Sequence, residues 1–202
     1  MRKNQLPYKA HLQKDLKLAT ILNEPCTKLE FHQNIALRLM AGIMSQQLNT
    51  RVAKIIYHRF LELYKGKEPR PGQVLATPDE TLRGIGLSNA KVQYVKNVAR
   101  FCIDQKINDK KLLAMENEMI MDLLTQIKGV GRWTVEMLLM FSLGREDIFA
   151  VDDLGLQQSM IQLYNLKITD KKKLREKLLK ISAAWSPYRT YACLHLWQWK
   201  DV

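Results

Sequence analysis

The chain is poor in everything that staples a protein or embeds it in a membrane. Its 202 residues hold three cysteines, Cys26, Cys102 and Cys193. They stand far apart, and an odd count fits no disulfide framework. The cluster of four that zinc or an iron–sulfur centre would need is missing. Each thiol reads as a small buried apolar side chain. No apolar run approaches the roughly 20 residues that span a bilayer. The first residues, Met1 to Pro7, lack the apolar stretch of a signal peptide. The expectation is a soluble protein of the cytoplasm (nucleoid-associated if bacterial), monomeric and with no membrane partner. Strand signals are almost absent, since no apolar/polar alternation is sustained between turn residues. Acidic residues are in deficit: 20 against 32 basic ones leave a net charge of +12. Such a surplus attracts polyanions, which makes nucleic acid the default partner. A protein whose lysines only keep it dissolved would share this composition.

What is present is helical spacing. Asn34 to Met44 carries Ile35, Leu39 and Ile43 on one stripe, with Ala36, Met40 and Met44 beside it. Asn49 to Tyr64 continues with Val52, Ile55, Ile56, Phe60 and Leu63 as the inner face. Lys65 to Pro71 reads as a polar connection. Thr77-Pro78-Asp79-Glu80 reads as a helix start, with Thr77 as cap and Glu80 at the capping-box position. That helix ends near Gly84 and Gly86. Ser88 caps the next, Asn89 to about Asp104. Asn117 or Met121 to about Ile127, and Trp133 to Leu143, form two arms of a hairpin. Asp153 to Tyr164, Lys171 to Ser182 capped by Asp170, and Tyr188 to Trp199 complete the chain. The expected fold is all-α, a two-lobed bundle of about ten helices with a cleft between the lobes. It is read as one domain over 1–202, with a middle lobe of about 34–145 and the terminal segments packed together as the second lobe.

The most informative stretch is Ile127-Lys128-Gly129-Val130-Gly131-Arg132-Trp133-Thr134. Two glycines around one apolar residue make a tight corner between helices. The second helix then opens with free backbone N–H groups converging on one point. A helix N-terminus carries about half a unit of positive charge and holds anions such as phosphate. An acidic pair, Asp152-Asp153, follows Ile148-Phe149-Ala150-Val151. A phosphate clamp followed by a carboxylate suits an enzyme that grips a DNA backbone and attacks a nucleotide.

Four ordered segments together resemble the helix-hairpin-helix DNA glycosylase superfamily, in its alkylation-repair branch, the 3-methyladenine DNA glycosylase II (AlkA) type. They are Ile43-Met44-Ser45-Gln46-Gln47-Leu48-Asn49; Gly86-Leu87-Ser88 with Lys91 following; the hairpin through Asp153; and Trp185-Ser186-Pro187-Tyr188-Arg189-Thr190-Tyr191-Ala192 through Trp197. They span roughly residues 30 to 200. Two departures are visible. Nothing here could form the β-rich lobe with which AlkA-type enzymes often begin, so the compact version is implied. Met137 stands where the enterobacterial type has an aromatic after the hairpin tryptophan.

The resemblance implies base excision repair: hydrolysis of the N-glycosidic bond of a damaged base, with no cofactor beyond water and double-stranded DNA carrying damaged bases as partner. The transition state resembles an oxocarbenium ion, and a carboxylate beside the sugar stabilises it and orients water. Asp153 aligns with the family's essential aspartate. Its alternative is a helix cap; both can hold if one of Asp152 and Asp153 caps while the other faces the cleft. The lysine that bifunctional relatives place just after the hairpin is Trp133 here, so a monofunctional hydrolase without lyase activity is implied. The base must be flipped from the duplex. The wedge that fills the gap falls in Gln46-Gln47-Leu48, with Gln47 at the matching position and Leu48 beside it; the alternative is a turn whose glutamines bond backbone. Trp133 and Trp197 match pocket positions, with Met137 and Tyr191 as further lining, because cationic alkylated purines are drawn to aromatic faces. Trp185 and Trp199 read as core. DNA would be held by backbone N–H groups of Gly129, Gly131 and Thr134, with Lys128, Arg132 and Arg189 on phosphates. No catalytic metal is implied, although hairpin carbonyls can hold a monovalent cation. His11, His32, His58 and His195 form no metal or triad spacing. Two other readings stay open: a noncatalytic DNA-binding module, and a glycosylase for a deaminated or oxidised base.

Overall fold

The computed structural model describes residues 7–22 and 29–200. Among these residues there are thirteen α-helices, one short 3-10 turn and no strand. Among the described residues no helix is long and apolar enough to cross a membrane. The chain divides into two compact units, one of Phe31–Leu143 and the other of Met1–Glu30 with Gly144–Val202. The expectations placed on Met1 to Leu6 and on Cys26 lie outside the described residues.

The discontinuous unit begins with α1 (Pro7–Leu12) and α2 (Leu16–Ala19). The continuous unit then holds α3 (Ile35–Ser45), α4 (Thr50–Glu62), α5 (Pro71–Ala76), α6 (Asp79–Gly84), α7 (Asn89–Asp104), α8 (Asp109–Leu113), α9 (Asn117–Leu124) and α10 (Arg132–Phe141). The chain returns to the first unit with α11 (Leu154–Tyr164), α12 (Lys171–Ser182), the 3-10 turn Ala183–Trp185 and α13 (Arg189–Lys200).

Side-chain caps set most of the long helices. Asn49 accepts from the Val52 N–H at 2.9 Å, Ser88 from Lys91 at 3.3 Å and Asp170 from Lys173 at 2.8 Å. Each such cap is worth about 1 kcal/mol. The start of α3 is doubly served. Asn34 accepts from Leu37, and the Asp109 carboxylate accepts from the N–H groups of Asn34 and Ile35 at 2.8 and 2.9 Å. α3 is the centre of its unit: it packs on α4, α7 and α10, and Leu37, Leu39, Met40 and Ile43 are all buried. In the other unit α11 packs on α13 and α2 around Leu18, Leu156, Met160, Trp185 and Leu196.

Several expectations are corrected. The short helices α1, α2, α5 and α8 were not anticipated, because four to six residues hold too few turns for a 3.6-residue period to show. Thr77 does not cap a helix start. It ends α5, its hydroxyl donates to the Gln73 carbonyl at 2.9 Å, and Pro78 precedes α6 with no side-chain cap. Lys65 to Pro71 is not connection throughout, since Pro71 opens α5. α4 buries Ile56 and Phe60, but Val52 is 37% and Ile55 44% exposed. A helix whose main neighbour is α3 alone buries a narrow stripe.

Candidate functional site

In the continuous unit the corner between α9 and α10 is set by its two glycines in different ways. Gly129 has φ +102°, and a Cβ there would lie 2.1 Å from Tyr94 Cγ, so ring and backbone fit only without a side chain. Val130 between them is buried, and its N–H closes the turn on the Ile127 carbonyl at 2.9 Å. Gly131 is the N-cap of α10 with φ −94°, and a Cβ there meets nothing within 4 Å. It supplies no capping side chain. The first turn of α10 therefore presents a positive dipole end with open space in front of it.

The residues expected on DNA divide sharply. Lys128 is exposed, and its carbonyl accepts from Asn97 Nδ2 at 3.1 Å. Arg132 is half exposed but its Nε donates to Glu136, a carboxylate only 2% exposed, at 3.0 Å. The Thr134 side chain is buried and accepts from Gln46 Nε2 at 3.1 Å. Gln46 also reaches the Gly129 carbonyl at 3.4 Å. Its side chain is thus a brace for the hairpin.

The turn after α3 keeps two exposed positions. Gln47 has φ +57°, a left-handed conformation that costs a non-glycine residue roughly 1–2 kcal/mol. Leu48 is exposed next to it. Lys91 closes the turn from below: its Nζ donates to the carbonyls of Met44 at 2.9 Å and Gln46 at 2.7 Å. Burial pulls the Lys91 pKa below the ordinary lysine value. On α10, Trp133 is 38% exposed and Met137 half-buried one turn later, so both share a face.

In the discontinuous unit Asp153 is the N-cap of α11. Its Oδ1 accepts from the Leu156 N–H at 2.9 Å and from Trp197 Nε1 at 3.0 Å. A division of labour between the two aspartates does not occur: the capping residue is the candidate itself, and Asp152 pairs with Arg175 Nε at 3.1 Å. Gly155 makes this possible. A Cβ there would stand 3.0 Å from Asp153 Oδ1 and 3.4 Å from the Trp197 indole.

The segment leading to Asp153 is tied down by the C-terminal signature. Arg189 Nε and one terminal nitrogen bind the Asp147 carboxylate at 2.7 and 3.0 Å, and Ser186 donates to it at 2.8 Å. Burial works to raise the Asp147 pKa, but the Arg189 and Ser186 hydrogen bonds outweigh it and hold the group below the usual carboxylate value. Thr190 Oγ1 accepts from the Ile148 N–H at 3.0 Å and donates to the Arg145 carbonyl at 2.7 Å. Arg189 is therefore a clasp on 145–148. Tyr191 stacks on Tyr8 at 4.1 Å and donates to Glu146. Trp185 is core, fully buried, with Nε1 on Asp15 at 3.0 Å; Trp199 is only half-buried. Cys102 and Cys193 are buried thiols, and Cys193 Sγ donates to the Ile148 carbonyl at 3.7 Å.

Tyr94, Asn97, Glu136 and Gly155 were missed by sequence reasoning. The first two had a signal: with Lys91 they stand three apart on α7, a spacing that aligns side chains along one slanting stripe.

The glycine-cornered helix hairpin and the carboxylate fixed at another helix start are features on which the resemblance to DNA glycosylases rests. The chain belongs to the HhH-GPD superfamily of base excision DNA repair proteins, whose pattern it matches over residues 40–184. It is 36% identical to DNA-3-methyladenine glycosylase 1 of Schizosaccharomyces pombe over 79% of its own length and 70% of that protein's. The structure of S. pombe 3-methyladenine DNA glycosylase (Mag1) in complex with abasic DNA superposes with a TM-score of 0.86 at 29% identity, covering 98% of both chains. A DNA-3-methyladenine glycosidase of Bacillus halodurans superposes at 0.83 with 34% identity, covering 100% of this chain and 94% of that one.

Proposed function

We propose that the protein is a monofunctional DNA glycosylase that releases alkylated purines, 3-methyladenine-like lesions among them, and so begins base excision repair. The observation that carries the chemistry is the fixed carboxylate of Asp153, held by a helix N–H and by the Trp197 indole within 3.0 Å. A carboxylate immobilised by two donors meets a developing positive charge on deoxyribose without first reorganising. Water completes the displacement and leaves an abasic site. An alkylated purine is already cationic, so it departs without a strong general acid.

The continuous unit supplies the grip. Backbone N–H groups at Gly131 and the start of α10 bind a phosphate, with Lys128 adding charge. Gln47 and Leu48 form the wedge that replaces the flipped nucleotide. Trp133 and Met137 offer an apolar face to the base, and Trp197 adds its ring beside the carboxylate. Trp133 occupies the place of a Schiff-base lysine, so no strand cleavage is expected.

The test is release of each methylated purine from alkylated DNA by wild type and Asp153→Asn. Wild type frees methylpurines without nicking the strand and leaves no borohydride-trapped adduct. Asp153→Asn binds DNA but frees no base. Tight binding by wild type with no base released would establish a DNA-binding module instead.

A further inference from the structure

The wedge turn and the hairpin are far apart in sequence, yet a single helix meets both. Along one stripe of α7, Lys91 donates to the Met44 and Gln46 carbonyls, Tyr94 fills the space that a side chain at Gly129 would need, and Asn97 donates to the Lys128 carbonyl. Gln46 closes the circuit from the other side through Thr134 Oγ1 at 3.1 Å. Gly42 lets α3 approach α10 there, since a Cβ on it would already stand 3.3 Å from Thr134 Cγ2.

We infer that Lys91 is a positioning residue for base extrusion, and that α7 mounts the wedge and the phosphate clamp as one rigid caliper. The inference rests on the base-excision reading above. The chemistry of the contact favours it. The Met44 carbonyl in the last turn of α3 and the Gln46 carbonyl just beyond it both accept from one ammonium group, at the helix end where a cation is favoured. The same two bonds hold the chain on either side of Ser45, so the strained Gln47 that follows starts from a fixed point. A phosphate held at the α10 start then lies at a set distance from the residue that enters the stack. Binding energy gained at the backbone is transmitted to the base instead of being lost in a loose turn.

The experiment uses duplexes carrying 7-methylguanine next to 2-aminopurine, paired normally or facing an abasic analogue that removes the base-pairing cost of extrusion. Lys91→Met keeps the stem and removes the charge; Lys91→Arg keeps a cation. With Lys91→Met the rise in 2-aminopurine fluorescence is lost, and release from the paired duplex slows roughly 10- to 100-fold, while release opposite the gap stays within about threefold. The slope of affinity against salt is unchanged, because the hairpin amides are untouched. Lys91→Arg recovers part of both signals. If Lys91→Met does not fold, Gln46→Met carries the same test from the hairpin side. Equal loss on paired and gapped DNA, or a wild-type fluorescence rise in a folded Lys91→Met, overturns the inference. A wild type that raises fluorescence but frees no base defeats the functional reading alone, and the caliper is then judged on fluorescence. A wild type that leaves fluorescence unchanged overturns both.

Discussion

The hairpin and the carboxylate are built on opposite plans. At the hairpin the working groups are backbone amides, and side chains serve as scaffolding: Tyr94 beneath Gly129, Asn97 on Lys128, Gln46 against Thr134. At Asp153 the working group is a side chain, and the scaffolding is partly backbone, with the α11 N–H groups behind it and Trp197 beside it. A site made of main chain is damaged by adding atoms, whereas one made of side chains is damaged by removing them.

Two glycine variants test the first half of that contrast. Gly129→Ala forces a Cβ into the Tyr94 ring at a left-handed φ and is expected to cost more than about 4 kcal/mol, visible as a lost or much lowered melting transition. Gly131→Ala meets no atom and has an ordinary φ, so stability should move by no more than about 1 kcal/mol while DNA affinity falls across all sequences. Equal melting temperatures for the two would break the comparison.

Acid separates the two units next. His195 is 1% exposed, both ring nitrogens lack a hydrogen-bond partner, and burial with nearby Lys9 pushes its pKa down to about 4. The unfolded chain takes up that proton near pH 6.5, so the folded state loses stability as pH falls from 6.5 toward 4, by about 3 kcal/mol in all. Asp15 and Asp147, with lowered pKa values, contribute at higher pH, and their contribution is lost only as pH falls below the ordinary carboxylate value of 3.8. Hydrogen exchange at pH 4.5 should therefore open the α13 unit before the hairpin unit. His195→Phe should flatten the difference, and an unchanged profile in that variant would refute the cause.

The smallest effects separate the two cations expected on phosphate. Arg189→Ala frees the half-buried Asp147 and should cost roughly 1–2 kcal/mol of stability with little change in the salt dependence of binding. Lys128→Ala should leave stability alone and lower the salt slope by about one. An Arg189 variant whose salt slope drops would establish it as a DNA contact.

How much of this was legible follows from range. Caps act over three residues, and Ser88, Asp153 and Asp170 were readable because a short polar side chain meets an N–H that close in sequence. Thr77 misled because its hydroxyl had a nearer acceptor in α5, and local pattern cannot rank two local partners. The glycine corner and Trp133 were visible as residue types. The partners of Arg189 and Gln46 were not, since each bond spans at least 42 residues. A charged side chain can serve phosphate or carboxylate equally well, and only the fold decides which is within reach.

The amino-acid order by itself determined an all-helical chain, the places where its longer helices begin, a side-chain-free corner and a carboxylate at a later helix start. These depend on steric and hydrogen-bonding preferences that operate within a turn or two. Tertiary structure alone decided that Lys91, Tyr94 and Asn97 brace that corner and its neighbouring turn, that Arg189 clasps Asp147, and that Trp197 holds Asp153. Those pairings arise when distant helices pack and buried polar groups must find partners, a demand no local stretch of chain can express.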